Sequence, residues 1–180
     1  MSVSAKRNGL IGGRTSSIAV TGTYSTADAV NLGEVLLPAE LQTGNKDHSW
    51  HASIQIAHFL HESAANAADG WGLFVKIGAS DGNPNPYQAW ITGGIGGKGL
   101  LPSRPADSFG LGYFYYNLSD DLRDALNPLA TFDDEQGIEA YYDFLVTPWL
   151  RFALDLQYVN PATAANNNAL MAGLRVKIRL

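Results

Sequence analysis

Residues 135–159 read EQGIEAYYDFLVTPWLRFALDLQYV, and within this stretch the character of the side chain changes at almost every step. Over 135–146, Gln136, Ile138, Ala140, Tyr142, Phe144 and Val146 fall on one side, and Glu135, Gly137, Glu139, Tyr141 and Asp143 on the other. Over 150–159, Leu150, Phe152, Leu154, Leu156 and Tyr158 oppose Arg151, Ala153, Asp155 and Gln157. Successive side chains of a strand point to opposite faces, so a period of two marks strands rather than helices. Thr147, Pro148 and Trp149 leave room only for a tight turn. The stretch therefore predicts an antiparallel hairpin with one apolar face and one face of charged or small residues.

The same period extends outward. In 170–180, Ala172, Leu174, Val176, Ile178 and Leu180 alternate with Met171, Gly173, Arg175, Lys177 and Arg179. In 71–80, Trp71, Leu73, Val75 and Ile77 oppose Gly72, Phe74, Lys76 and Gly78. In 48–60, Trp50, Ala52, Ile54 and Ile56 oppose His51, Ser53 and Gln55. Segments 15–25, 87–96 and 108–117 complete a set of eight predicted strands, the first of them starting at 15. The connections alternate in length, with long ones at 26–46, 118–134 and 160–169, although 97–107 is longer than a simple turn. Asp81 to Pro86 is a strong turn signal, and the segment from Leu118 to Leu126 has the makings of a short helix.

Composition narrows the class. The chain has 180 residues with no Cys, which excludes disulfide frameworks, thiolate metal sites and thiol nucleophiles. Its net charge of −5 offers no basic surface for phosphates, so no nucleic-acid partner is expected. No apolar run approaches the roughly 18 residues of a spanning helix. Charged residues are only 16% and aromatics 11%, with 19 Gly, and mean hydropathy is −0.08. Strands that alternate apolar and polar average to such a value in a transmembrane β-barrel. No secretory leader is visible at the start of the sequence.

Two arrangements use the alternation. In a soluble β-sandwich the apolar faces form a core. In a lipid-embedded barrel they turn outward, and the charged faces line a wet lumen. Three features favour the barrel. Trp50, Trp71, Tyr113, Tyr115, Trp149 and Tyr158 sit near strand ends on the apolar side, as interfacial girdles do. Glu139, Asp143, Arg151, Asp155, Arg175, Lys177 and Arg179 put both charge signs on one face of neighbouring strands. The chain also ends within an alternating strand rather than a polar tail.

Four strings occurring in order then carry a resemblance: WGLFVKIGASDGNPNP at 71–86, GGIGGKGLLPSRPADSFGLGYFY at 93–115, NLSDDLRDAL at 117–126, and 134–159. Over 47–180, and more weakly over 1–46, the chain resembles the carbohydrate-selective porins of Gram-negative outer membranes, the OprB-type family. The resemblance implies a 16-stranded outer-membrane barrel that passes glucose and other sugars by diffusion, with no bond made or broken and no cofactor. It also implies outer-membrane lipid as surroundings, and recognition of the terminal strand by the assembly machinery. Sixteen strands in this length leave about 11 residues per strand and turn, which is one spanning strand with no connection. The chain therefore resembles the C-terminal half of such a porin, forming one barrel domain over 1–180. Its last residue is Leu180, where the family pattern ends in Phe. The expected lumen-lining residues are Lys76, Tyr116, Glu139, Tyr141, Asp143, Arg151, Asp155, Arg175, Lys177 and Arg179. The alternatives are a small eight-stranded structural or adhesin-like barrel and a soluble carbohydrate-binding sandwich.

Other candidate sites are weaker. His48, His51, His58 and His61 lack ligand spacing on an extended strand; there His51 and His61 share one face, and His48 and His58 the other. The run from Gly93 to Gly99 lacks the phosphate-loop pattern and reads better as strand glycines. Glu139 and Asp143 stand about 13 Å apart along a strand, too far for a glycosidase pair. No catalytic residue and no metal site is assigned.

Overall fold

The computed structural model describes residues 1–63 and 69–179. They form one antiparallel sheet of nine strands: β1 (Ser2–Ile11), β2 (Arg14–Ser25), β3 (Ser49–Glu62), β4 (Gly70–Ser80), β5 (Tyr87–Lys98), β6 (Ser108–Leu118), β7 (Glu135–Thr147), β8 (Leu150–Asn160) and β9 (Ala169–Ile178). The all-β antiparallel class is as the alternation predicts, but the count is nine rather than eight. The additional strand is β1. Its sequence, SVSAKRNGLI, has no apolar alternation to reveal it. The usable signal is the pair that follows. Gly12 and Gly13 have φ of 58° and 76°, and they join Ile11 to its cross-strand partner Arg14. Two-residue hairpin loops demand positive φ, which glycine adopts without strain.

Every strand pairs with its neighbours in sequence, in the order β1 to β9. Among the described residues β1 and β9 are both open edges, so the sheet is neither a small closed barrel nor a two-sheet sandwich. An odd number of alternating strands also makes β1 and β9 run in the same direction. A seam between them would be parallel.

The sandwich reading fails on burial as well. Phe109 and Leu118 are the only buried apolar side chains among the described residues. Leu154, Leu174 and Val176, which a sandwich would hide, are 53%, 68% and 50% exposed. Fully burying one such side chain stabilises a fold by roughly 1.5–3 kcal/mol. A water-soluble fold of this size does not leave a whole apolar face uncovered.

The register assigns faces without ambiguity, because directly paired residues share a side. One cross-sheet row runs Arg7, Ile18, Ile56, Val75, Gly93, Tyr113, Ile138, Tyr158, Leu170, with Arg7 on the edge strand β1 its one charged member. This is the apolar face. Near the short connections it carries Trp71, Phe109, Tyr142 and Phe144, with Trp71 edge-on to Phe109 at 6.4 Å and Tyr142 on Phe144 at 4.6 Å. Toward the other end it carries Tyr24, Trp50, Tyr115 and Tyr158. A bulge between Phe59 and His61 shifts the parity of β3. His61 therefore pairs with Trp71 and shares the apolar face with His58, opposite His51. The face assignment from simple counting is corrected here, since one extra residue reverses everything after it.

The two ends of the sheet differ. At one end the loops are tight at 12–13 and 148–149. At the other, residues 26–48, 81–86 and 119–134 are knitted together. Asn83 donates to Asn31 (2.7 Å) and to Asp121 (2.6 Å) and accepts from the backbone of Leu32 (3.0 Å). Ser119, 1% exposed, caps the short helix α1 (Asp120–Leu126) through the Leu122 amide and donates to Gly82 O.

Candidate pore-lining face

The second face of the sheet is where the chemistry lies. One of its rows runs Lys6, Ala19, Gln55, Lys76, Thr92, Phe114, Gly137, Val159, Ala169. Strand alternation and register put Lys76 (β4), Tyr116 (β6), Glu139, Tyr141 and Asp143 (β7), Arg151 and Asp155 (β8), and Arg175 and Lys177 (β9) on this side. Arg179 lies just beyond β9, its amide held by Trp149 O at 2.9 Å. Leu180, the last residue of the expected terminal strand, lies outside the described residues.

Within β7–β9 the charges form a connected patch. Arg151 Nε donates to Asp143 Oδ1 at 2.6 Å, and its Nη2 reaches Ala106 O and Ser108 Oγ at 3.2 and 3.3 Å. Asp155 is paired with Tyr141 on one side and Gly173 on the other, and Lys177 lies opposite Arg151. Glu139, Asp143, Asp155 and Arg175 border a recess of about 300 Å³. Acid predominates on β7 and base on β9, so the wall carries opposite charges a few ångströms apart. Such a field orients polar solutes without selecting strongly for either ion sign.

From β4 to the pairing of β6 with β7 the same face is built differently. There, aromatic side chains lie across directly opposed glycines. The six-membered ring of Trp90 covers Gly78, Tyr141 covers Gly110, and Phe114 covers Gly137. Trp90 also reaches His51 of β3, their rings parallel within 2° at 4.9 Å. A ring needs a missing Cβ beneath it to lie down on a sheet, and glycine supplies that. Phe74, Trp90, Phe114 and Glu135 were not among the expected lining residues. Parity alone places Phe74, Phe114 and Glu135 on this face, since they alternate in step with Lys76, Tyr116 and Glu139; Trp90 is placed there by its pairing with Gly78, because the expected set has no residue on β5.

Two carboxylates fix the strand ends beside this face. Asp107, 3% exposed, precedes β6 and accepts from Arg104, from the Leu145 amide (2.8 Å) and from Tyr142 OH (3.1 Å). Burial pushes its pKa up, but these donors outweigh burial and hold it below the usual carboxylate value. Asp134 precedes β7 and accepts from Tyr115 OH (2.5 Å), Asn117 (2.9 Å), the Leu118 amide (3.0 Å) and Arg123 (2.6 Å). Burial raises its pKa and the four donors lower it further than that, for a net downward shift.

The histidines go to four separate places. His48 bonds Asp47, His51 stacks on Trp90, His58 bonds Ser16 Oγ at 2.7 Å, and His61 stacks on Trp71. Among the described residues no group of three His, Cys, Asp or Glu side chains is placed to hold a metal ion. The glycines from Gly93 to Gly97 lie within β5 rather than in a phosphate-binding loop.

Comparison with known proteins agrees with this architecture. The chain is similar to the solved high-pH structure of OprB from Pseudomonas putida, with a TM-score of 0.85 over 98% of this chain and 47% of that one. At 21% identity the likeness is one of fold. The chain spans about half the length of that structure. No curated protein matches. Residues 6–180 match the family model described as carbohydrate-selective porin, OprB family, and the chain belongs to that family.

Proposed function

We propose that this chain forms part of the wall of a water-filled pore that lets sugars diffuse passively across a Gram-negative outer membrane. The observation that carries the reading is the division of one sheet into two faces: an exposed apolar face with aromatic residues toward both ends, and a polar face bearing ion pairs and rings. Only a lipid surrounding satisfies the first, and only water satisfies the second. Lys76, Tyr116, Glu139, Tyr141, Asp143, Arg151, Asp155, Arg175, Lys177 and Arg179 would line the pore, offering many weak hydrogen bonds that allow exit as well as entry. Transport of this kind breaks no bond.

The open edges at β1 and β9 require further strands. Because β1 and β9 run in the same direction, an antiparallel barrel is completed by an odd number of them. In this reading the chain is part of a longer porin, and its terminal strand is the segment offered to the outer-membrane assembly machinery.

The test is sugar flux. Liposomes containing the completed barrel, the longer porin of which this chain forms part of the wall, should admit glucose, and admit oligosaccharides progressively more slowly. Glucose entry no faster than into protein-free liposomes would overturn the reading for this chain.

A further inference from the structure

We propose that the polar face between β4 and β7 holds a saccharide subsite, floored by glycines, with Phe74 and Tyr141 as ring platforms and Glu139 as acceptor for hydroxyls. The inference rests on the pore reading for the presence of a sugar at this face, and it names where on the wall the sugar pauses.

The register builds the site. Phe74, Gly94, Gly112 and Glu139 are successive partners in one row across β4, β5, β6 and β7. Three strand spacings put Phe74 and Glu139 about 14 Å apart at the backbone. Between them the floor has no Cβ. The neighbouring row continues the floor through Gly96 and Gly110, over which Tyr141 lies. Two recesses of about 310 and 370 Å³ adjoin here, and both are bordered by Phe74, Gly112 and Glu139. Each is at the lower end of the roughly 300–1,000 Å³ typical of small-molecule sites.

Packing explains most of these glycines but not all of them. A Cβ at Gly94 would strike Leu111 O, and one at Gly96 would come to 2.9 Å from Phe109 O. Gly110 lies beneath the Tyr141 ring. At Gly112 the nearest atom to an added Cβ is Gly93 O, 3.7 Å away. The fold would accept a side chain there, although glycine weakens a strand interior. The space above Gly112 is therefore free for something else.

The walls state what would fit. Phe74 and Tyr141 are 41% and 39% exposed, so their rings are open to a ligand. A pyranose has an apolar face of C–H groups and a rim of hydroxyls. An aromatic ring answers the first, and the Glu139 carboxylate, together with the Tyr141 hydroxyl, answers the second. An acyclic polyol has the hydroxyls but no ring face.

The experiment is saturation-transfer NMR on the detergent-solubilised longer porin that contains this chain, with methyl β-D-glucopyranoside as probe and mannitol as comparison. The glucoside should receive saturation on the C–H protons of one ring face, and mannitol much less. Phe74→Ala, which removes bulk at an exposed position, and Gly112→Leu, which fills the floor, should each lower the transfer at least about fivefold, equivalent to roughly 1 kcal/mol of binding. Thr21→Leu, on the same face but on β2, should leave it unchanged. Absence of transfer in the wild-type porin, or equal transfer in wild type, Phe74→Ala and Gly112→Leu, would overturn the subsite. Glucose flux into liposomes separates the two claims. Flux with variant-insensitive transfer removes the subsite and leaves the pore. Variant-sensitive transfer without flux removes the pore and leaves the subsite.

Discussion

The polar face solves one problem in two ways. On β7–β9 the wall is made of long charged side chains that hold one another, as Arg151 holds Asp143 at 2.6 Å. On β4–β6 it is made of glycines with rings laid across them, as Trp90 lies across Gly78. The first wall is polar because of what its side chains carry. The second is smooth because of what its backbone lacks. The backbone pairing is the same in both, so the difference shows that the sheet supplies only direction, and that the properties of the surface are set position by position. The two halves should also fail differently when perturbed.

The largest loss is expected at the loop that ties the charged half down. Asp107→Ala would leave the Leu145 amide and the Tyr142 hydroxyl without their acceptor beside a nearly fully buried position, while Arg104, 41% exposed, can turn to water. Unsatisfied buried donors cost about 1–3 kcal/mol each, and relaxation recovers part of that sum, so a loss of about 3 kcal/mol is expected. Guanidinium unfolding of the chain in detergent, followed by tryptophan fluorescence, would measure it. A change below about 1 kcal/mol would show that the loop contributes little to the charged half.

The same carboxylate sets part of the response of the chain to acid. Asp107 and Asp134 have depressed pKa values in the folded chain, so at low pH the unfolded chain takes up their protons first. Their stabilisation is complete above the unfolded-state value of about 3.9 and is lost as pH falls through their folded-state values. Unfolding midpoints should therefore be flat from neutral pH down to about 4.5 and fall below about pH 3.9. In Asp107→Asn the fall should be shallower. An unchanged slope would assign the acid sensitivity elsewhere.

The glycine half gives a paired test of intermediate size. Gly94→Val places a branched side chain where a Cβ already strikes the β6 backbone, and overpacking of this kind costs about 1–3 kcal/mol. Gly112→Val, its direct cross-strand partner, has open space above it and should change stability by less than about 1 kcal/mol in either direction. Two opposed glycines with the same substitution would then report opposite causes, close backbone approach in one case and room for a ligand in the other. Equal losses at both positions would mean that Gly112 too is present for packing.

How much of this could be read from the sequence follows the same division. The charged half was open to reading because alternation with ionised residues is unmistakable, and strands 135–146, 150–159 and 170–180 lie within two residues of β7, β8 and β9. The glycine half was harder to read. Gly93, Gly94, Gly96 and Gly97 blur the alternation of β5, and a ring over a glycine is a relation between two strands, visible only once their register is known. β1 escaped because its evidence lay in the turn at Gly12 and Gly13 rather than in its own residues. The face of His61 was misjudged because no composition marks the extra residue of a bulge. Counting parity is reliable up to the first irregularity and fails beyond it.

The smallest expected effect tests whether the charged wall depends on geometry or on charge alone. Arg151 makes three contacts through two different nitrogens: Nε to Asp143, and Nη2 to Ala106 O and Ser108 Oγ. A lysine keeps the charge but has a single nitrogen, and it cannot serve the strand partner and the loop at once. Arg151→Lys should therefore lose the two long contacts to Ala106 and Ser108, both made by one nitrogen, and keep the attraction to Asp143, a loss of about 0.5–1.5 kcal/mol, since two weak bonds shared by one donor are worth about one ordinary hydrogen bond. Arg151→Ala should lose more, because Asp143 is then left without its cation. If lysine restores the wild-type midpoint fully, the patch is held by charge alone and the contacts to Ala106 and Ser108 are incidental. If lysine is no better than alanine, the fork of the guanidinium is the part that matters, and the charged half of the wall is as dependent on shape as the glycine half beside it.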